Sequence, residues 1–176
     1  MSERNIVEIC IYEQGIENYP KRTVVLANLA MIAWVALGTI ACWFLAPLAA
    51  WIYLPVAVLM VWVVLRRLVC VDCYYYGKWC GTGWGKLAAV FFKQGNIENF
   101  AGSIGVKLAP MTYGLLSLIP LVLVIIALVQ TVTVAKIVVL VLLLLMSVYS
   151  GFISRQKSCV GCKMRLMCPG STAKGE

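Results

Sequence analysis

Histidine is absent from this chain, and its metal-binding chemistry rests on eight cysteines. Six fall into two triplets, Cys70, Cys73, Cys80 and Cys159, Cys162, Cys168, spaced C-x2-C-x6-C and C-x2-C-x5-C. A C-x2-C turn directs two thiolates at one point, and two such turns complete a tetrahedral sulfur site. Cys70, Cys73, Cys159 and Cys162 therefore compose a candidate zinc clasp between the two segments, with Cys80 and Cys168 as further ligands. Lys78, Lys157, Lys163 and Arg165 stand nearby in sequence and are expected to favour thiolates.

Thiolates also hold iron–sulfur clusters, and Cys168-Pro169 resembles the Cys-Pro that ends bacterial ferredoxin cysteine runs. Each triplet supplies three ligands, so a four-thiolate cluster draws its fourth from the other triplet or from Cys10, with Asp72 as a substitute. Thiol redox chemistry or soft-metal transport is a third use of C-x-x-C. Zinc is the favoured ion and an iron–sulfur cluster the alternative. Cys42, inside an apolar run, reads as a packed small hydrophobe.

The triplets belong to a repeated unit. Arg66 and Arg155, Cys70 and Cys159, Val71 and Val160, Cys73 and Cys162 share one offset of 89 residues. Each triplet follows a pair of apolar segments. The uncharged run Thr23 to Leu65 is twice the roughly 20 residues one helix needs to cross a bilayer. It divides at Ala46-Pro47-Leu48 into spans near 23–45 and 49–67. The second block gives spans near 110–130 and 135–154, separated by the polar, β-branched Gln130 to Thr133. The expected fold is an all-α integral membrane protein of four transmembrane helices. They form two tandemly duplicated hairpins, each followed by a cytoplasmic C-x2-C-x5/6-C segment. The corresponding divisions are an N-terminal arm (1–22), a first hairpin with its triplet and an interfacial helix (23–93), a linker (94–107), and a second hairpin with triplet and tail (108–176).

Charge sets the expected orientation. Of 15 Lys and Arg, only Lys136 lies on a short hairpin turn; the rest lie in the arm, the central loop and the tail. Positive charge collects on the cytoplasmic side, so the termini and both triplets are expected there, in the cell membrane. The four Glu among the first 22 residues are unlike a signal or transit peptide. Trp43 and Trp51 flank the first turn and suit an interfacial aromatic belt. Trp84 to Lys93 reads as a short helix in the headgroup zone, and Tyr74 to Tyr76 as an anchor of the first cysteine loop at the headgroups.

Hydrophobic residues make up 62% and charged residues 12%, half the charge of an ordinary soluble domain. That excludes a typical cytosolic globule and a disordered chain. The net charge of +8 is explained by topology before nucleic acid, and no nucleic-acid partner is expected. The apolar spans carry no ionisable residue in their interiors, which disfavours a proton relay, ion-coupled transporter or voltage sensor. Asn28 is expected to bond helix to helix. Pro55 and Pro120 are expected to free backbone carbonyls and bend their helices. No acid–base pair is evident, and no residue is assigned a catalytic role. The function that follows is a small membrane scaffold or accessory subunit, with a cysteine-held metal joining its halves. Its partners are the lipid bilayer and other membrane subunits or a second copy of the chain. A membrane electron-transfer subunit is the alternative.

Overall fold

The computed structural model describes residues 11–173, and among them every regular element is helical. Four helices are long and apolar enough to cross a membrane: α1 (Lys21–Trp43), α2 (Pro47–Cys70), α4 (Ile104–Gln130) and α5 (Val134–Val160). The short α3 (Trp84–Phe91) lies between the hairpins. α1 follows Pro20, and α2 opens on Pro47, whose missing N–H costs nothing in a first turn. Ser103 caps α4, its Oγ accepting the Val106 N–H at 3.3 Å. Aliphatic residues stand exposed along all four long helices, among them Leu26, Ile52, Ile126 and Leu145. That surface is what a helix presents to hydrocarbon, where the backbone groups are satisfied within each helix.

Two of the expected spans end differently. α2 passes into a wider, π-helical winding over Leu59–Val64 and Arg66–Cys70, and α5 does so over Tyr149–Ser154. α5 then continues to Val160, so Arg155, Lys157 and Cys159 ride on the helix instead of on a loop beyond it. Cys70 likewise closes α2. Each triplet thus begins on the last turn of a long helix.

The hairpins are joined inside the bundle by one hydrogen bond with a sequence cause. Pro120 has no N–H to give the Leu116 carbonyl one turn back. The Tyr53 hydroxyl donates to that carbonyl at 2.9 Å. Gly38 makes room: a Cβ there would sit 2.5 Å from the Tyr53 oxygen. Tyr53 and Trp34 are buried in the core, while Trp43 and Trp51 are exposed. At the far turn Lys136 is buried, and its Nζ donates to the Ala127 carbonyl at 2.8 Å and the Thr131 carbonyl at 2.9 Å. A cation on the last carbonyls of α4 meets the negative end of the helix dipole.

Asn28 departs from expectation. Its amide donates to Val24 in its own helix and to the Thr82 carbonyl, both at 2.8 Å. It ties α1 to the loop after Cys80, where an interhelical bond was expected.

Candidate metal centre

Both cysteine segments lie at the end of the bundle where the N-terminal arm enters α1. They are tied to each other and to the arm by hydrogen bonds. Tyr75 is buried between Cys73 and Cys80. Its hydroxyl donates to the Ile16 carbonyl at 2.6 Å and accepts the Lys163 N–H, next to Cys162, at 3.1 Å. The arm crosses both segments. The Tyr12 and Ile16 N–H groups donate to Lys163 and Gly161 carbonyls at 3.0 and 2.9 Å. The Tyr19 N–H donates to the Trp79 carbonyl at 2.9 Å, and its hydroxyl to the Ser158 carbonyl at 3.3 Å. Gly15 is obligatory here, because a Cβ would meet Lys163 at 2.7 Å.

The local turns match between segments. Tyr76 N–H donates to the Cys73 carbonyl at 3.0 Å, and Arg165 N–H to the Cys162 carbonyl at 3.1 Å. The Tyr75 backbone amide at Cys73 and the Met164 backbone amide at Cys162, each two residues on, favour the charged sulfur and oppose the effect of burial. After the third cysteine of each segment the backbone turn repeats, the Gly83 N–H donating to the Cys80 carbonyl at 2.9 Å and the Ser171 N–H to the Cys168 carbonyl at 3.1 Å. Gly77 and Gly83 adopt positive φ of 75° and 72°, which lets the first loop turn back toward α3.

Packing places five of the six triplet cysteines in two clusters. Cys70 is buried with Trp84 and Ala88, and Cys80 packs against the same group. Cys73, Cys162 and Cys168 pack on Phe100, Met164 and Met167. Cys159 stands half-buried on the last turn of α5. Electrostatics link the two groups: Cys73 feels Cys70, Cys162 and Cys80, and Cys162 feels Cys168, Cys159 and Cys80. As the side chains stand, no three Cys, Asp or Glu among the described residues converge as a metal-ligand group. The seven described cysteines are all outside disulfides. Cys10 lies outside the described residues.

Burial sets the thiol chemistry. It pushes Cys162 up to about 11 and Cys73 higher still, each opposed by its amide bond and reinforced by the neighbouring sulfurs. Burial likewise raises Tyr19 to about 12. Three of the four basic residues expected to favour thiolates are engaged elsewhere. Lys78 lies over the Tyr74 ring at 4.0 Å and Arg165 over the Tyr12 ring at 3.9 Å. Lys163 donates to the Glu13 carbonyl at 3.1 Å and pairs with Glu17 at 3.7 Å. Arg66 was not among them. It is buried, four residues before Cys70, with its guanidinium 5.0 Å from the Trp84 ring centre and its Nε without a partner. The Asp72 carboxylate lies over Gly95, in a pocket of about 260 Å³ that Cys73 also lines.

One reading from sequence changes here, and one feature was not read at all. Tyr74 to Tyr76 were expected at the headgroups. Instead Tyr75 is sealed in the cap, and Tyr76 donates to the Phe92 carbonyl at 2.6 Å. The arm's role had no motif to announce it; the hint was Tyr12, Gly15 and Tyr19 in an otherwise polar stretch. The chain matches no family model, no curated protein and no solved structure, so its function is read from its own residues.

Proposed function

We propose that this is a small polytopic membrane scaffold or accessory subunit, whose cysteine segments bind a thiophilic metal ion, zinc by preference, and so lock its two halves together. The observation that carries the reading is the bond from the Lys163 N–H to the Tyr75 hydroxyl, which ties the two cysteine segments together, each C-x2-C being followed by the same backbone turn, Tyr76 to Cys73 and Arg165 to Cys162. Two such turns are what a tetrahedral sulfur site requires.

The matching turns also support a tandem duplication of hairpin plus triplet. The 14 basic residues away from the far turn support placing the termini and the cap in the cytoplasm. There thiols stay reduced, and a metal is the ordinary reason to gather them. With ionisable groups kept to helix ends and the cap, a structural role fits better than ion translocation. Such a subunit would lie in the bilayer beside other membrane subunits or a second copy of itself.

The test is metal analysis of detergent-purified, anaerobically prepared protein, with its visible spectrum. Bound zinc and no chromophore support the scaffold. Iron with acid-labile sulfide and broad visible absorption replaces it with an electron-transfer subunit. Protein that stays metal-free after zinc addition removes the metal reading altogether.

A further inference from the structure

Four cations are buried among the described residues: Arg66, Lys136, Lys163 and Arg165. Three of them reach oxygen. Lys136 has the Ala127 and Thr131 carbonyls, Lys163 the Glu13 carbonyl and the Glu17 carboxylate, and Arg165 the Val160 carbonyl at 3.3 Å. Arg66 differs. Its guanidinium lies 5.0 Å from the centre of the Trp84 ring, and among the described residues no carboxylate pairs with it and its Nε–H finds no acceptor. The indole face attracts the charge but offers no lone pair to the N–H groups. Trp84 adds a second stranded donor, since its own buried Nε1 has no partner. An arginine stays charged when buried, and a buried charge without a partner is costly. Two stranded donors on side chains in contact describe a place for an anion.

The surroundings name the anion. Arg66 stands one turn before Cys70, the end of the α2 span. That is headgroup depth, where a bilayer presents phosphate, and the guanidinium fork suits phosphate oxygens. Only 8% of Arg66 is exposed, which admits one group and not a diffuse layer. Farther into the span, Leu54, Val58 and Trp62 of α2 line an apolar groove of about 410 Å³ with Ile32, Val35 and Ala36 of α1. Arg66 follows Trp62 at the same four-residue spacing, and residues four apart are neighbours on a helix surface. Arg67 and Lys107 stand exposed near the ends of α2 and α4, which meet where Gly105 lies against the Leu68 carbonyl.

We propose that Arg66 and Trp84 bind the phosphate of one anionic phospholipid, in the leaflet on the side of the cysteine cap, with an acyl chain laid in the groove between α1 and α2. Arg66 supplies the charge-assisted hydrogen bonds and Trp84 the indole N–H. Arg67 and Lys107 favour a headgroup of net negative charge. The site does not depend on a metal in the cap.

The experiment is native mass spectrometry of the full chain in neutral detergent, titrated separately with phosphatidylglycerol, phosphatidylcholine and inorganic phosphate. The expected result is one tightly held phosphatidylglycerol per chain, phosphatidylcholine held about tenfold more weakly, and no phosphate adduct. Arg66→Gln should weaken phosphatidylglycerol at least about tenfold, and the exposed Arg67→Gln by no more than about fivefold. Equal losses in the two variants, or several lipids bound without a strong first one, overturn the site and leave a diffuse basic collar. Inorganic phosphate bound as tightly as the lipid overturns the lipid as its source. No retained phosphatidylglycerol overturns the proposal outright. Val58→Trp, which fills the groove at a distance from the headgroup, should also weaken the lipid, and an unchanged affinity would overturn the placement of the chain. The three wild-type titrations need no substitution, so a variant that misfolds does not shield the proposal.

Discussion

The Tyr75 hydroxyl accepts the Lys163 N–H at 3.1 Å, and this one oxygen joins the two cysteine segments across a separation of 88 residues. It also donates to the Ile16 carbonyl at 2.6 Å, so the arm and both segments meet on one side chain. Tyr75→Phe keeps the ring and its edge contacts with Tyr19 and Tyr74. It strands a buried amide and a carbonyl, at a cost of about 1–3 kcal/mol. Thermal unfolding in detergent should fall by several degrees, and zinc should be lost at lower chelator concentration. An unchanged melting temperature and unchanged zinc retention would mean that the hydroxyl does not hold the cap together.

The pairing of Tyr53 with Pro120 makes a double-mutant cycle informative. Tyr53→Phe removes the donor to the Leu116 carbonyl. Hydrogen bonds between membrane helices average about 0.6 kcal/mol and reach about 1.7, and a carbonyl without a helical donor belongs at the upper end. Pro120→Ala restores an N–H at the position one turn on. In that background, Tyr53→Phe should cost measurably less, and the difference is the coupling energy. Equal costs in both backgrounds would show that Pro120 does not create the need for Tyr53.

These two relationships mark what the chain discloses in advance and what it withholds. Four apolar helices were legible, because apolar length and the Pro47 and Thr131-Val132-Thr133 breaks are local signals. The freed carbonyl at Leu116 follows from Pro120 alone, but its partner does not, because Tyr53 lies 63 residues away. The extension of α5 through Cys159 ran against a charge-based boundary: Arg155 and Lys157 end a hydropathic span but do not end a helix. The arm's strap across the cysteines was invisible for a different reason. Tyr12, Ile16 and Tyr19 use backbone groups against Lys163, Gly161 and Trp79, and backbone pairing leaves no residue signature.

Lys136 gives a test of the far turn. Its ammonium satisfies the Ala127 and Thr131 carbonyls. Lys136→Met keeps the stem and removes the cation, taking this donor from the Thr131 carbonyl and leaving the Ala127 carbonyl with the Thr131 N–H alone. A loss of about 1–2 kcal/mol is expected from the helix-end charge and the hydrogen bonds. The readout is thermal unfolding at low and high salt. Because the group is buried, added salt should restore little of the difference. A loss that vanishes in high salt would assign Lys136 a surface role.

Orientation is open to direct labelling. A cysteine introduced at Val132, on the far turn, and one at Ala101, in the central loop, should differ in intact cells. Each is placed in a chain that also carries Cys42→Ser, and the labelled peptide is identified by mass spectrometry. A membrane-impermeant maleimide added outside should mark Val132→Cys and spare Ala101→Cys until the cells are opened. The reverse pattern would place the cysteine cap outside, where disulfides compete with metal.

The buried thiols also give the metal-free protein a distinctive response to alkali. Burial raises Cys162 to about 11, above its ordinary value of 9.0, and raises Cys73 further. A group that holds its proton more tightly when folded stabilises the fold fully below its ordinary value, and that contribution is lost as pH climbs toward the folded value. Metal-free protein should therefore melt progressively lower between about pH 9 and 11. Tyr19, raised from 10.0 to about 12, adds to the loss from about pH 10 upward. Over the same range, alkylation of Cys162 by a small neutral maleimide should accelerate, because the thiolate is the nucleophile. With zinc bound the thiols are already deprotonated, so the alkaline loss of stability and the rise in labelling should both disappear. A metal-free protein whose melting temperature stays level from about pH 8 to about 10.5, across the window just derived, would mean that these thiols are not buried as the packing around Met164 and Phe100 requires.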